Sequence, residues 1–372
     1  MLSAIPEIVE ELRQGRPIIL VDDEDRENEG DLVFPAERAT AEIITFITRY
    51  TPGYLCVTLT GLECDRLELP PQAPANTSLR GTAMMVSVDG HPRHGVGTGI
   101  SASERARTAR LLADPASRPD DLVRPGHIVP LRARDGGVLV RTGQTEGSVD
   151  LMRLAGLHPA AVISEISRED GEMARMPDLV AFAREHRLLI CSVEQIIQYR
   201  LRRERLVRRA PPVEGVTVDT DHGRFTLITY RTTVDRLPQL AFCVGDVGRL
   251  DPSGMPKQIA EPTLVRMQRR YLLGDVFGDK SLPSNRVLEA SLRRIQAEGH
   301  GVLVYLRPDA TEEGVAETPR AQPMNERDSG IGCQILRDLG LTQLRLLTNH
   351  PRRLQHIDAF GLEVVEYIAI EM

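Results

Sequence analysis

The stretch PIILVDDEDRENEGD, Pro17 to Asp31, joins an unbroken apolar run to a dense group of acids. The apolar run reads as a strand. Between Asp22 and Asp31 seven carboxylates then follow with a single Arg26 among them. Two like charges in contact repel by about 1 kcal/mol in water and by several times that where water is partly excluded, so acids crowded in a fold need a compensating cation. A strand C-terminus is where α/β folds expose functional groups. If the turn is extended, Glu27, Glu29 and Asp31 share one face, and their converging oxygens make a hard-cation site of the magnesium type. A solvated acidic turn accounts for the same spacing, with Asn28 and Gly30 serving the turn alone.

Outward from this stretch, apolar strands at 54–60 and 84–88 are interleaved with helical patterns at 41–49, 103–113, 148–156, 177–186 and 193–208. That alternation predicts α/β or α+β layers. Six arginines between Arg200 and Arg209 extend the last of these helices, and Pro211-Pro212 stops it. A solvated connector between domains is expected there, giving a first domain over 1–207 and a second over 213–372. Strand patterns at 223–231, 299–307 and 341–349 alternate with helical ones at 285–297 and 331–339, so the second domain is again α/β, and it does not repeat the first. The Pro-rich polar stretch 307–330 reads as a mobile loop.

A chain of 372 residues suits two domains. Its net charge of -7 and lack of tryptophan argue against nucleic-acid binding, which needs basic surfaces and stacking platforms. No signal peptide or membrane-spanning run is visible. Cys56, Cys64, Cys191, Cys243 and Cys333 are scattered and odd in number, which fits small buried hydrophobes in a reducing cytoplasm, and no pair has zinc-ligand spacing.

Further polar islands accompany the acids. GVGTGIS (95–101) is a Gly-rich turn entering a helix, which suits either a phosphate cradle or a tight turn with an N-cap. RPGHIVPL places His127 after a Pro-Gly turn, and RTGQTEGSVDL is a polar loop opening a helix. Glu165 stands in an otherwise apolar strand, where a carboxylate needs a partner, a metal or a raised pKa.

In their order and spacing, DDEDRENEGDL, GISASERARTARLLAD, RPGHIVPLRA, TGQTEGSVDLMRLAG and SEISREDGEMAR resemble 3,4-dihydroxy-2-butanone 4-phosphate synthase over residues 4–205. The resemblance implies an α/β sandwich working as a homodimer. It also implies conversion of ribulose 5-phosphate to 3,4-dihydroxy-2-butanone 4-phosphate and formate with magnesium, or manganese in its place. Carried over residue by residue, it makes Glu29, His127 and Glu165 catalytic. Arg26, Glu27, Asp31, Thr98, Arg141, Thr142, Gly143, Gln144, Thr145 and Glu165 become substrate contacts, with Glu27 and Gln144 at the metal positions. Three positions depart from the family pattern: Gln144 replaces its metal-binding histidine, Gly97 the first threonine of its TTG, and Tyr50 a frequent histidine. An amide oxygen binds magnesium, but as a neutral and weaker donor than a carboxylate. A divergent lyase or isomerase on a related sugar phosphate, and a non-catalytic regulatory paralogue, are the alternatives that Gln144 raises.

Residues 214–370 resemble GTP cyclohydrolase II through PTLVRM, LLGDVFGDK, GVLVYLR, GIGCQILRDLG, LRLLTNHPRR and FGLEVVEY. The three zinc-binding cysteines of that family correspond to Tyr271, Leu282 and Ser284, none of which replaces a thiolate. Its arginine-rich loop becomes RPDATEEG, where Glu312 and Glu313 would repel a triphosphate, and its Asp-x-Arg pair becomes Asn325 and Arg327. The resemblance therefore implies a preserved α/β shell without zinc and without cyclohydrolase activity.

Overall fold

In the computed structural model, residues 2–24, 26–51, 53–282, 284–308, 324–349 and 357–371 are described. Asp25, Glu312, Glu313, most of the 307–330 loop and residues 350–356 lie outside them. The chain forms two compact units, Met1–Tyr199 and Arg200–Met372.

The first unit is built on a seven-stranded mixed sheet. Its strands are β1 (Ile18–Val21), β2 (Gly30–Pro35), β3 (Cys56–Leu59), β4 (Val88–Gly90), β5 (Leu122–Arg132), β6 (Ala161–Glu165) and β7 (Ile190–Ser192), in the order β4-β5-β3-β6-β2-β1-β7. Its helices are α1 (Ile5–Arg13), α2 (Ala41–Tyr50), α3 (Gly61–Arg66), α4 (Ala102–Ala113), α5 (Gln144–Ala155), α6 (Met176–His186) and α7 (Val193–Arg203), the last running past the end of the unit. On one face Ile44, Ile47, Ala106, Ala109, Leu112 and Leu179 from α2, α4 and α6 join Ile19, Val21, Leu32, Phe34, Val57 and Val162 in one apolar cluster. The other face receives α5, and Gly147 permits its close approach: a Cβ there would stand 2.9 Å from Leu20 Cδ2. Cover on both faces explains why β1 and β2 are buried at every position.

The second unit carries β8 (Val207–Arg209), β9 (Val216–Thr220), β10 (Gly223–Thr232), β11 (Gln239–Val244), β12 (Thr263–Arg269), β13 (Gly301–Leu306), β14 (Gln343–Leu347) and β15 (Glu363–Ile368). The sheet order is β15-β14-β12-β13-β11-β10-β8, with β9 also paired to β10. Helices α8 (Leu272–Asp275), α9 (Ser284–Glu298) and α10 (Glu326–Asp338) accompany it. Ile295 and Leu292 of α9 pack on Phe225, Leu264 and Leu303.

Three local expectations change. The helix expected over 193–208 ends at Arg203, and Val207–Arg209 instead pairs with Tyr230–Thr232 of β10. Of the arginine run, Arg202, Arg203, Arg205 and Arg208 are exposed as a solvated connector would be, but the Arg209 side chain is 7% exposed and donates to Asp338 Oδ2 at 2.7 Å. A buried guanidinium needs a carboxylate, and Asp338 lies too far along the chain for local pattern to reveal it. Gln334 holds the same segment by accepting from Leu206 N–H and donating to Leu201 O and Glu204 O. The units accordingly divide ahead of residue 207. Third, the helix expected from 148 begins four residues earlier, at Gln144.

All five cysteines are buried single thiols. Among the described residues no helix is long and apolar enough to cross a membrane.

Candidate active site

The acids after β1 form a turn, not the extended run that would place Glu27, Glu29 and Asp31 on one face. Asn28 has φ +55°, a left-handed conformation that asparagine tolerates better than most residues, and the chain re-enters the sheet only at Gly30. Asp22 organises the turn: its buried carboxylate accepts from Glu27 N–H at 3.1 Å and Glu29 N–H at 2.9 Å. Arg175 clamps it from outside, donating to Glu27 O at 2.7 Å and to Asn28 O.

Three acceptor oxygens converge on one nitrogen of Arg26. Asp22 Oδ2, Glu27 Oε2 and Gln144 Oε1 lie 2.7, 2.8 and 3.1 Å from Nη1. The sequence-predicted metal positions, Glu27 and Gln144, are thus brought together from opposite ends of the first unit's chain. Their donor set is oxygen only, which suits a hard divalent cation that keeps several waters.

Behind the turn, Asp31 on β2 is directly opposite Glu165 on β6. Both side chains share the α5 face, because their neighbours Leu32 and Val162 belong to the opposite cluster. Among the described residues, Asp31 Oδ1 is buried without a hydrogen-bond partner. Burial, then the charges of Glu165, Glu27, Glu29 and Asp22, push its carboxyl well above the usual range. Burial likewise raises Glu165, with Glu27 adding to it, and raises Glu29, where Glu27 is the next cause. Carboxyl groups shifted toward neutrality can both give and take protons at working pH.

Gly53 connects this pair to His127: a Cβ at Gly53 would stand 3.0 Å from Glu165 Oε2, and Gly53 and His127 line the same cavity. His127 is half-exposed and lines a cavity of about 340 Å³ with Gly53, Tyr54, Gln72, Ser87 and Arg105. A larger hollow of about 440 Å³ against α1 and α2 holds none of the candidate residues.

At the entry to α5, Gly143, Gln144 and Thr145 are buried and Thr142 is exposed. Among the described residues the N-cap Gly143 offers no side chain to this helix, whose first-turn N–H groups suit an anion except where buried Glu146 takes its own. Arg141 stands beside it, donating to buried Glu146 at 2.7 Å and to Thr82 Oγ1 at 3.1 Å. The start of α4 differs. Ser101 and Glu104 form a capping box, and Glu104 also takes Gly97 N–H at 2.6 Å. The Gly-rich turn is therefore an N-cap whose donors are already used by the chain's own carboxylate; Thr98, within it, is exposed.

Asp22, Arg80, Asp89 and Arg175 carry structure that sequence reading left unassigned. Arg80 donates to Arg26 O and accepts Arg141 at its own carbonyl, linking the acid turn to the α5 entry. Asp89 holds His127 through two hydrogen bonds. Asp22 and Arg175 were present in the quoted motifs as unexplained charges; Arg80 and Asp89 gave no local signal beyond a polar residue at the edge of an apolar run.

In the second unit the positions corresponding to zinc ligands are tied into hydrogen bonds. Asp275 accepts from Ser284 Oγ and Tyr305 OH, both at 2.6 Å, and from Tyr271 N–H at 2.8 Å. Tyr271 OH donates to Asp279 at 2.6 Å, and Leu282 is exposed. Asn325 caps α10, and Arg327 pairs with Asp235.

The family model for 3,4-dihydroxy-2-butanone 4-phosphate synthase matches residues 6–199, and that for GTP cyclohydrolase II matches residues 212–369. Riboflavin biosynthesis protein RibBA of Aquifex aeolicus (strain VF5) is 44% identical over 389 residues, covering 100% of this chain and 93% of that protein. The RibBA protein of Mycobacteroides abscessus is 43% identical over 390 residues, covering 99% and 91%. Among solved structures, RibBX, a two domain 3,4-dihydroxy-2-butanone 4-phosphate synthase from A. baumannii, superposes with a TM-score of 0.81 at 34% identity over 100% of both chains. A 3,4-dihydroxy-2-butanone 4-phosphate synthase in complex with two magnesium ions superposes with a TM-score of 0.51 at 42% identity, covering 53% of this chain and 96% of that one. With the acid turn, the Asp31–Glu165 pair and the α5 entry all inside the matched segment, the chain belongs to the 3,4-dihydroxy-2-butanone 4-phosphate synthase family, joined to a second unit of the GTP cyclohydrolase II family.

Proposed function

We propose that the first unit converts D-ribulose 5-phosphate to L-3,4-dihydroxy-2-butanone 4-phosphate and formate, with magnesium or manganese, as a step toward riboflavin. The observation that carries this reading is the Asp31–Glu165 pair beside the Arg26-centred oxygens: carboxyls pushed toward neutrality next to oxygens of the kind a hard cation takes. Glu27 and Gln144 would hold the cation, which when bound supplies positive charge for the oxyanion of an enolising ketose. The α5 terminus and Arg141 bind the phosphate, and Arg26 and Asp31 contact the hydroxyls. Glu29, Glu165 and His127 take and return the protons that enolisation, loss of water and release of formate require. The family's working form is a homodimer, and we carry that over with the activity.

One assay on two proteins tests this. Formate release from ribulose 5-phosphate with magnesium is expected for the native chain, and a larger rate for Gln144→His. Absence of turnover in both would favour the divergent or non-catalytic alternatives, which the guanidinium sitting on Gln144 and Glu27 supports.

For the second unit we propose a structural or regulatory role without GTP cyclohydrolase activity. What supports it is chemistry: ring opening by hydrolysis depends on zinc-activated water, and Tyr271, Leu282 and Ser284 offer no thiolate. Metal analysis of the purified chain, together with a GTP turnover assay, tests this; stoichiometric zinc would overturn it.

A further inference from the structure

We propose that Asp89 is the positioning residue that fixes the tautomer of His127 and leaves Nε2 as the nitrogen available for proton transfer. Asp89 Oδ2 lies 2.6 Å from His127 Nδ1, while Oδ1 accepts the His127 backbone N–H at 2.9 Å. The carboxylate is 5% exposed. A buried carboxylate beside a neutral imidazole is satisfied only when the ring presents a donor, so Nδ1 carries the hydrogen and Nε2 the lone pair.

Two glycines build this contact. Gly99, at φ +81°, lies against the Asp89 carboxylate, and a Cβ there would overlap it. Gly126 lets β5 approach β4 so closely that a Cβ would overlap the Val88–Asp89 backbone. The glycines of GVGTGIS and RPGH thus serve one carboxylate held between them. The same arrangement ties the loop bearing Thr98 to the histidine, and His127 then faces the cavity it shares with Arg105, whose buried Nε has no hydrogen-bond partner among the described residues.

Asp89→Asn is a discriminating substitution because its orientation is locked. The His127 backbone N–H requires the amide oxygen, which turns the NH2 group toward Nδ1. That nitrogen must then accept, and the hydrogen moves to Nε2. The geometry resembles the Ser-His-Asp case, in which an amide in place of the acid yields the wrong tautomer.

This inference rests on His127 acting in the proposed reaction, so the test has an arm independent of turnover. Nitrogen-15 NMR of the imidazoles in the full chain should show neutral His127 protonated at Nδ1, and at Nε2 in Asp89→Asn. In the same variant kcat for formate release should fall about 100-fold or more, with KM changed by less than about threefold. Gly99→Ala should reproduce both effects by displacing the carboxylate. A native ring protonated at Nε2, an unchanged ring in Asp89→Asn, or an unchanged kcat after the tautomer has switched would overturn the proposal. Failure of the native chain to release formate would refute the proposed reaction, while the NMR arm would still decide what Asp89 does to the ring.

Discussion

Asp31 and Glu165 oppose one another across β2 and β6 with Asp31 Oδ1 buried and unbonded, an arrangement that favours protonated carboxyls when no cation is present. Folding raises the pKa of both, so the folded chain holds protons more tightly than the unfolded one. The sign follows directly. This contribution is fully present below the ordinary carboxylate pKa and is lost as pH rises through the raised values. Without divalent cation, the first unit should therefore lose stability from about pH 4 upward through that window. Asp31→Asn should flatten this dependence and stabilise the cation-free protein at neutral pH, because the amide carries no charge to bury. Thermal melts across pH would check it; a steeper loss in Asp31→Asn than in the native chain would contradict the assignment.

Gln144 contributes a neutral oxygen where a charged one would bind magnesium more strongly. Affinity for hard cations rises with the number of charged oxygen ligands. Gln144→Glu should therefore tighten magnesium binding by about tenfold, equivalent to about 1.4 kcal/mol. Its new charge also strengthens the hold on Arg26, which limits the gain. Isothermal titration with magnesium chloride reads the difference without reference to turnover.

The Asp275 network should act as a staple for the second unit. Tyr305→Phe and Ser284→Ala each remove one donor from a carboxylate that the remaining bonds still hold. Each should destabilise the unit by about 1–2 kcal/mol. Hydrogen exchange along β12 and β13 would localise the effect, and zinc content should remain unchanged in both variants.

The parts of this fold that were legible from sequence are those encoded locally. PIILV reads as a strand from its apolar run, and the acids after it stand out because so many charges rarely share one turn, whereas the cover on both faces of β1 is seen only in the fold. What sequence reading missed depends on partners distant in the chain. Asp89 meets His127 across 38 positions, and Asp338 meets Arg209 across 129. The first turn of α5 looked like a loop because Gln144, Thr145 and Glu146 are polar, yet all three are buried, with Glu146 held by Arg141 and by Arg134 N–H. The glycines of the 95–101 turn suited either a phosphate cradle or a tight turn with an N-cap; the structure has the N-cap, with Glu104 in a capping box with Ser101 and taking Gly97 N–H.

Arg175 holds the acid turn in two separable ways, through its hydrogen bonds to the Glu27 and Asn28 carbonyls and through its charge, 3.7 Å from Glu29 Oε1. That charge lowers the Glu29 pKa and partly offsets the upward push from burial and from Glu27. Arg175→Met keeps much of the side-chain volume while removing both the donors and the charge. Glu29 should then titrate at higher pH than in the native chain, so the acid limb of the pH–rate profile should move upward if Glu29 must be ionised to act. Loosening of the turn should appear separately, as weaker magnesium binding and faster hydrogen exchange at Glu27 and Glu29, whose amides bond to Asp22. Arg175→Lys retains the charge but on a shorter side chain that does not place its donors where Nη1 bonds both carbonyls, so it should restore the position of the acid limb more fully than it restores protection of the turn. A limb that stays in place in both variants would show that the ionisation governing the rate belongs to another group.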